Sequence, residues 1–290
     1  MRVLVIGRDG QLSQSLTEHA KKWPGLELRA VGRPQLDLER PETISGEIEV
    51  YRPDVVVNAA AYTAVDKAET EPERAFAINR DGATAAAHAA ASIGAAFVHV
   101  STDYVFDGRK ADPYVEKDKT GPLNVYGRSK LEGEHAVLAA HPRALVLRTS
   151  WVFSPFGSNF VKTMLKAGAE RPLLRVVNDQ IGNPTSALDL AAAILEIAPA
   201  LQREPGGIYH LTGSGSTSWH DFAAFIFEQS RKLGGPAPAL EAISSDEYKT
   251  AALRPMNSRL DCTAFSDRFA VRLRPWTASA AETVARCLSR

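Results

Sequence analysis

Short apolar runs alternate with helical segments through the first half of the chain, and this alternation restricts the fold more than any other feature. Arg2 to Ile6, Leu26 to Val31, Asp54 to Asn58, Ala96 to Val100 and Ala144 to Arg148 read as short strands. Between them, Leu12, Leu16 and Ala20 mark one face of a helix. Pro41 to Tyr51 suits another, with Pro41 in its first turn. Pro72 to Ile93 is an Ala-rich helix closed by Gly94, and Val125 to Ala140 is helical again. Strands too short and too apolar to face water, each followed by a helix, imply a parallel sheet covered on both faces. Its crossovers are right-handed.

The strand–turn–helix that opens the chain is a mononucleotide-binding unit, so the expected class is α/β, a Rossmann-type doubly wound parallel sheet. Residues 1–150 are read as this NAD(P)-binding domain, joined by a returning strand near 206–212, where Gly207-Ile208-Tyr209-His210-Leu211 stands. After Arg148 the pattern loosens into loops around Ser154 to Gly157 and Asn178 to Thr185. Helices are expected at Asn159 to Ala169, Ser186 to Ala198 and Ser218 to Leu233. Residues 151–290 are therefore read as a smaller α/β substrate-binding cap beside the carboxyl ends of the strands, where a cleft would form.

Composition narrows the partners. The 290 residues carry 34 Lys plus Arg against 34 Asp plus Glu. No global field attracts nucleic acid or anionic lipid, and anion binding must be local. No stretch approaches the roughly 20 apolar residues that span a bilayer, and the first apolar run is too short for a signal peptide. The two cysteines, Cys262 and Cys287, form no CxxC pair and read as reduced thiols. The expectation is a cytoplasmic protein, monomer or homodimer, with a small-molecule substrate.

Gly7-Arg8-Asp9-Gly10-Gln11-Leu12 lies between the first strand and the first helix. Glycine at Gly7 allows the tight turn, and Gly10 lets the helix N-terminus approach a pyrophosphate through free N–H groups and the helix dipole. Ser13 stands where a third glycine is usual, and is small enough for close helix–strand packing. At the end of the second strand an acidic residue would hold the ribose 2′-OH of NAD. The chain has Val31-Gly32-Arg33 instead. Arg33 either pairs with the 2′-phosphate of NADPH or is a solvated surface arginine. NADPH is the expected cofactor, with NADH as an alternative donor. Asp37 and Leu38 either flank the adenine or are plain loop.

Tyr126 and Lys130, at i and i+4 on the predicted helix, share one face. An ammonium one turn away favours the phenolate, so Lys130 is expected to lower the Tyr126 pKa for proton transfer to a ketone oxygen. Lysine can also hold a ribose hydroxyl. Ser101-Thr102-Asp103-Tyr104 follows a predicted strand, which puts Thr102 at a carboxyl strand end. Its hydroxyl could polarise a carbonyl and Asp103 could hold a sugar hydroxyl; a turn-capping cluster is the other reading. His99 and His210 sit in apolar runs as core residues, and Trp219-His220-Asp221 is a capped helix start.

These motifs, with Val57 to Asp66, Arg148 to Phe153, Asn178 to Thr185 and Arg254 to Leu260, resemble the extended short-chain dehydrogenase/reductases, and more narrowly the dTDP-4-dehydrorhamnose reductases, nearly end to end. The resemblance implies NAD(P)H-dependent reduction of the C4 ketone of dTDP-4-dehydro-L-rhamnose. It makes Tyr126 the proton donor, Lys130 its partner and Thr102 the third catalytic residue. It lays Ala61, Tyr62 and Thr63 along the cofactor and Trp151 against the substrate. Some members of the family bridge a dimer through Mg²⁺; here Leu12-Ser13-Gln14-Ser15 offers no carboxylate, so no Mg²⁺ is expected for the chemistry. Two alternatives stay open. One is a nucleotide-sugar epimerase or dehydratase on the same scaffold. The other is a non-catalytic regulatory subunit.

Overall fold

The chain, described here by a computed structural model over residues 1–202 and 206–289, alternates strand and helix as its apolar pattern requires. In order these are β1 (Arg2–Ile6), α1 (Gln11–Ala20), β2 (Glu27–Val31), α2 (Pro41–Tyr51), β3 (Val55–Asn58), α3 (Val65–Ala68), α4 (Pro72–Phe76), α5 (Ala83–Ser92), β4 (Ala96–Thr102), α6 (Val125–Ala140) and β5 (Leu145–Thr149). There follow β6 (Val152–Phe153), α7 (Phe160–Glu170), β7 (Leu173–Val177), β8 (Ile181–Gly182), β9 (Thr185–Ser186), α8 (Ala187–Leu201), β10 (Gly207–His210), β11 (Thr217–Ser218), α9 (Trp219–Lys232), β12 (Ala239–Ile243), α10 (Thr263–Phe269) and α11 (Trp276–Leu288).

The first five strands and β10 form one six-stranded sheet in the order β10-β5-β4-β3-β1-β2, with every neighbour parallel. Side chains alternate across it with a period of two. Val3, Val5, Val55, Val57, Val98, Leu145 and Leu147 face one core with Leu12 and Leu16 of α1 and Leu190 and Ile194 of α8. Leu4, Ile6, Val56, Phe97 and Val146 face the other, with Ile44 and Ile48 of α2, Ala83 to Ala90 of α5 and Val137 of α6. Each fully buried Val, Leu or Ile stabilises by about 1.5–3 kcal/mol, so the two-sided burial dictates the parallel, doubly wound arrangement. The order also reverses between β1 and β3, opening a crevice beyond the carboxyl ends of the strands.

Two features depart from the sequence reading. The helix expected from Pro72 to Ile93 is interrupted by a π-helical segment, Ala77–Gly82. Neighbouring backbones press on this stretch. A Cβ on Gly82 would overlap the Leu38 carbonyl, and one on Gly133 of α6 would overlap the Asn79 carbonyl. The cap also holds a small parallel pair, β7 with β12, in which Leu173 lies opposite Ala239. Its strands are only five residues long, and β12 buries only Ile243. Apolar packing among Phe153, Val161, Leu165, Phe222 and Ile226 then gives the cap a core of its own.

Close approach at Gly133 makes a specific demand. Gly133→Ala overpacks the α6 contact with the π-helical segment and is expected to destabilise the protein by about 1–3 kcal/mol. Gly46, exposed on α2 with no neighbouring atom within 4 Å of a Cβ, should behave oppositely. Gly46→Ala should stabilise by about 0.5–1 kcal/mol through helix propensity. Urea unfolding of the two variants checks the pair, and equal effects of the same sign would contradict the packing argument.

Candidate active site

Every residue singled out from the sequence for a site lines one cleft of about 830 Å³ at the carboxyl ends of the strands. Gly7, Gly10, Gln11 and Leu12 come from the turn after β1, and Arg33, Asp37 and Leu38 from the segment after β2. Ala61, Tyr62 and Thr63 follow β3, Thr102 and Asp103 end β4, Tyr126 and Lys130 rise from α6, and Trp151 follows β5.

The turn after β1 has the shape its glycines allow. Gly7 lies at φ +106°, a region closed to most side chains, and a Cβ there would press on Ala60 and Ser13 at 3.3 Å. Nothing stands within 4 Å of a Cβ on Gly10, so the first turn of α1 meets open space with its N–H groups uncapped by any side chain. Ser13 is buried and donates its hydroxyl proton to the Gly7 carbonyl, so it reinforces the turn. Leu12 packs into the core beneath. Gln11 is a surprise. Its amide donates to the Val152 carbonyl at 3.2 Å and its oxygen accepts from Ser154 and Asn159 at 2.9 and 3.0 Å. The side chain thus ties the turn to the cap.

At the far end, Arg33 is exposed and makes no ion pair among the described residues, whereas Arg8 pairs with Asp9 at 3.3 Å. Asp37 is bound into its own turn through the Glu39 N–H and the Thr43 hydroxyl, and Leu38 is buried. Tyr62 turns its phenol to Glu71 at 2.9 Å, and its backbone N–H donates to Asn79 of the π-helical segment at 2.8 Å. Asn79 in turn donates to the Ser129 hydroxyl, and Ser129 to the Tyr126 carbonyl, which fixes the loop after β3 against α6.

α6 starts sharply because Asn124 accepts from the Gly127 N–H at 2.8 Å. Gly127 is required: a Cβ would overlap the Tyr104 carbonyl. The start sets Tyr126 half-buried, edge-on to Tyr104 with ring centroids 5.7 Å apart. Lys130 is almost wholly buried and donates to the Val100 carbonyl at 2.6 Å, with His99 Nε2 at 3.4 Å. Burial lowers the Lys130 pKa to about 8, against the pull of Glu134 one turn on. Burial also drives His99 well below its ordinary value, and the Lys130 charge adds to this, so the imidazole is neutral.

The Tyr126 phenol behaves otherwise than its spacing suggests. Burial raises its pKa to about 12, the Thr102 hydroxyl opposes the rise and Asp103 adds to it. The Lys130 ammonium, held by the Val100 carbonyl, does not offset that rise. Thr102 donates to Asp103 at 2.9 Å and accepts from the Tyr104 N–H at 3.2 Å. The second Asp103 oxygen is buried with no hydrogen-bond partner, as is the Thr149 hydroxyl on the neighbouring strand end. Both residues line the cleft.

Two residues escape the sequence reading. Trp219, read as a helix start, does begin α9 behind an N-cap at Ser218, but its indole also lines the cleft. Glu134 lies out of the cleft, two turns beyond Tyr126, and forms a buried ion pair with Arg148. Its position at i+4 from Lys130 was the available signal. His99 and His210 are core residues, 1% and 0% exposed. Among the described residues no cluster of His, Cys, Asp or Glu is arranged to hold a metal ion, and no helix is long and apolar enough to cross a membrane.

Comparison with known proteins is consistent across the whole chain. The family model described as the RmlD substrate binding domain matches residues 1–289. A dTDP-4-dehydrorhamnose reductase of Sinorhizobium fredii is 48% identical over 283 residues, covering 96% of this chain and 95% of that protein. A crystal structure of a dTDP-4-dehydrorhamnose reductase from Clostridium acetobutylicum superposes with a TM-score of 0.92 at 35% identity over 100% of both chains. The Bacillus anthracis dTDP-4-dehydrorhamnose reductase, solved in complex with NADP, gives a TM-score of 0.92 at 33% identity over 98% of each chain.

The buried Asp103 carboxyl leaves a pH signature. Burial raises its pKa to about 7, with the Ser258 and Thr102 hydroxyls opposing. In the unfolded chain the group ionises at the ordinary carboxylate value. Its contribution to stability is therefore full below that value and is lost as pH rises through about 7. Asp103→Asn carries no such loss. The Tm of the variant relative to the parent should climb between pH 4 and pH 8; a pH-independent difference would contradict the burial argument.

Proposed function

The chain belongs to the dTDP-4-dehydrorhamnose reductase family, and from that premise we propose that it reduces the C4 ketone of dTDP-4-dehydro-L-rhamnose to dTDP-L-rhamnose with NADPH. One observation carries the reading: Thr102, Tyr126 and Lys130 share a single cleft with the glycine turn after β1. That puts acid–base groups and a phosphate-binding helix end within one ligand-sized space.

The residues present fit a dinucleotide. Gly10 leaves room at the N-terminus of α1, whose uncapped N–H groups suit a pyrophosphate. Arg33, free of ion pairs among the described residues, is placed to receive a 2′-phosphate, with Asp37 and Leu38 beside the adenosine end. Ala61, Tyr62 and Thr63 run along the middle of the cleft. The reduced nicotinamide, when bound, supplies the hydride that goes to C4.

The chain's own groups do the rest. Tyr126 gives its phenolic proton to the C4 oxygen, so that hydride and proton together make the alcohol. Thr102 holds the carbonyl oxygen; its hydroxyl, which donates to Asp103 in the structure, turns to donate to that oxygen as charge builds there. Lys130 holds a ribose hydroxyl and keeps a positive charge beneath the reacting groups. Asp103, with one carboxyl oxygen unpartnered, takes a sugar hydroxyl, and Trp151 packs on the sugar. None of these steps calls on a metal ion.

An NADPH-oxidation assay tests the reading, with the keto sugar made in place by a dehydratase and an epimerase. Stoichiometric loss of the 340 nm signal is expected; an epimerase or dehydratase would return the hydride, and a regulatory subunit would leave NADPH untouched. Tyr126→Phe should lower kcat by about 10²–10⁴ with NADPH binding retained. An unchanged kcat would remove Tyr126 from the chemistry. Arg33→Ala should raise the KM for NADPH by about 10–100-fold and leave that for NADH unchanged, the loss of one charge-assisted contact. Equal effects on both cofactors would return Arg33 to the surface.

A further inference from the structure

Trp151 is held in an unusual way. Its backbone lies at φ +47°, left-handed territory that a bulky side chain rarely enters. On one side the ring meets Gly182 of β8 so closely that a Cβ there would stand 2.5 Å from Trp151 Cε2. It also stacks on Trp219, with ring centroids 3.4 Å apart and planes 6° from parallel. Free aromatic pairs prefer offset or edge-on arrangements with centroids about 4.5–7 Å apart. A stack so nearly face to face is imposed by the frame around it.

That frame is visible. β8 and β11 pair antiparallel with Gly182 opposite Thr217, two residues before Trp219. Ser218 caps α9 by accepting from the Asp221 N–H at 3.0 Å, which fixes the first residue of the helix. Phe160 packs against Trp219 with centroids 4.6 Å apart. The Trp151 carbonyl accepts from the Thr185 N–H at 3.2 Å. Both indoles line the cleft that holds Thr102 and Tyr126.

From this geometry we infer that Trp219 is a substrate-positioning residue: stacked on one face of Trp151, it acts through that indole, fixing it at the cleft as a rigid apolar surface for the C–H face of the 6-deoxy sugar ring. The inference rests on the functional reading above and deepens it. A 6-deoxyhexose carries a methyl group and an apolar ring face, which stack well on indole and cannot be held by hydrogen bonds. Polar recognition stays at Asp103 and Thr102, at the carboxyl end of the neighbouring strand β4. Sequence alone could not pair these indoles, since 68 positions separate them along the chain (219 less 151).

The test uses the full chain and two variants. Stacked indoles give an exciton-coupled circular dichroism couplet, which wild-type protein should show and both Trp219→Ala and Trp219→Phe should lose. Trp219→Ala should raise the KM for the keto sugar about tenfold or more, with kcat and the KM for NADPH within about threefold. Trp219→Phe, which keeps a ring against Trp151, should recover most of the KM. A wild-type couplet that persists at saturating dTDP-L-rhamnose supports the same rigid role without any variant, and covers the case in which Trp219→Ala fails to fold. A sugar KM within twofold of wild type in Trp219→Ala, or a wild-type couplet abolished by saturating dTDP-L-rhamnose, overturns the role of Trp219. Wild-type protein that oxidises no NADPH overturns the functional reading instead, so the two failures are told apart.

Discussion

The buried ion pair between Glu134 and Arg148 joins the three elements on which the cleft depends. Both side chains are essentially withdrawn from water, at 0% and 3% exposure. Arg148 grips the carboxylate through Nε at 2.9 Å and Nη2 at 2.6 Å, and Ser101 donates its hydroxyl to the same group. Burying two charges costs several kcal/mol per ion, and only a two-pronged pair with further hydrogen bonds offsets that. Losing one partner would leave an isolated charge in the core, at a cost of about 3–5 kcal/mol. The guanidinium also lies 5.1 Å from the Phe106 ring centroid. Glu134 belongs to α6, Ser101 to β4 and Arg148 to β5, so one carboxylate sets the spacing of Tyr126 and Lys130 against Thr102 and Thr149.

A second tie works across the cleft. Gln11 extends from the phosphate turn and meets Val152, Ser154 and Asn159 of the cap by hydrogen bonds. Gly157 passes over it, 3.3 Å from the Gln11 side chain at its Cβ position and at φ +58°. Val152 follows directly on Trp151. The turn that receives a pyrophosphate and the wall that receives a sugar are therefore linked by one side chain and one peptide unit. Rigid sites hold reacting atoms within fractions of an ångström, and a tie of this kind supplies that rigidity.

How much of this was legible in the sequence depended on the range of the interactions involved. The strand from Arg2 to Ile6 and the helix from Pro41 to Tyr51 are written in local periodicity and read directly. The N-caps at Asn159, Ser186 and Ser218 are equally local. The cleft residues were legible because a glycine turn, a strand-end Thr and a Tyr–Lys pair each have a topological address in this fold. The β7–β12 pair was not, since Leu173–Val177 and Ala239–Ile243 are short, half exposed and far apart in the chain. The π-helical segment was hidden in an Ala-rich helix because its causes, Gly133 and Leu38, lie elsewhere in the chain. Trp219 was hidden by its second role, since a helix start is a sufficient local account of Ser218-Trp219-His220-Asp221.

The electrostatics of Tyr126 correct the simplest argument from spacing and make better sense of a reductase. A lysine one turn away suggests a phenol on the verge of ionising. In the structure the Lys130 ammonium is held by the Val100 carbonyl, and burial takes the phenol the other way, up to about 12. A group that must give a proton to a newly reduced ketone needs that proton in place at neutral pH, and a phenol at about 12 holds it fully. The acceptor is an alkoxide, a far stronger base than phenolate, so the transfer remains downhill. Lys130, lowered only to about 8 with Glu134 supporting its charge, stays mostly protonated near pH 7. Its part is to place a fixed positive charge and a donor under the reacting groups.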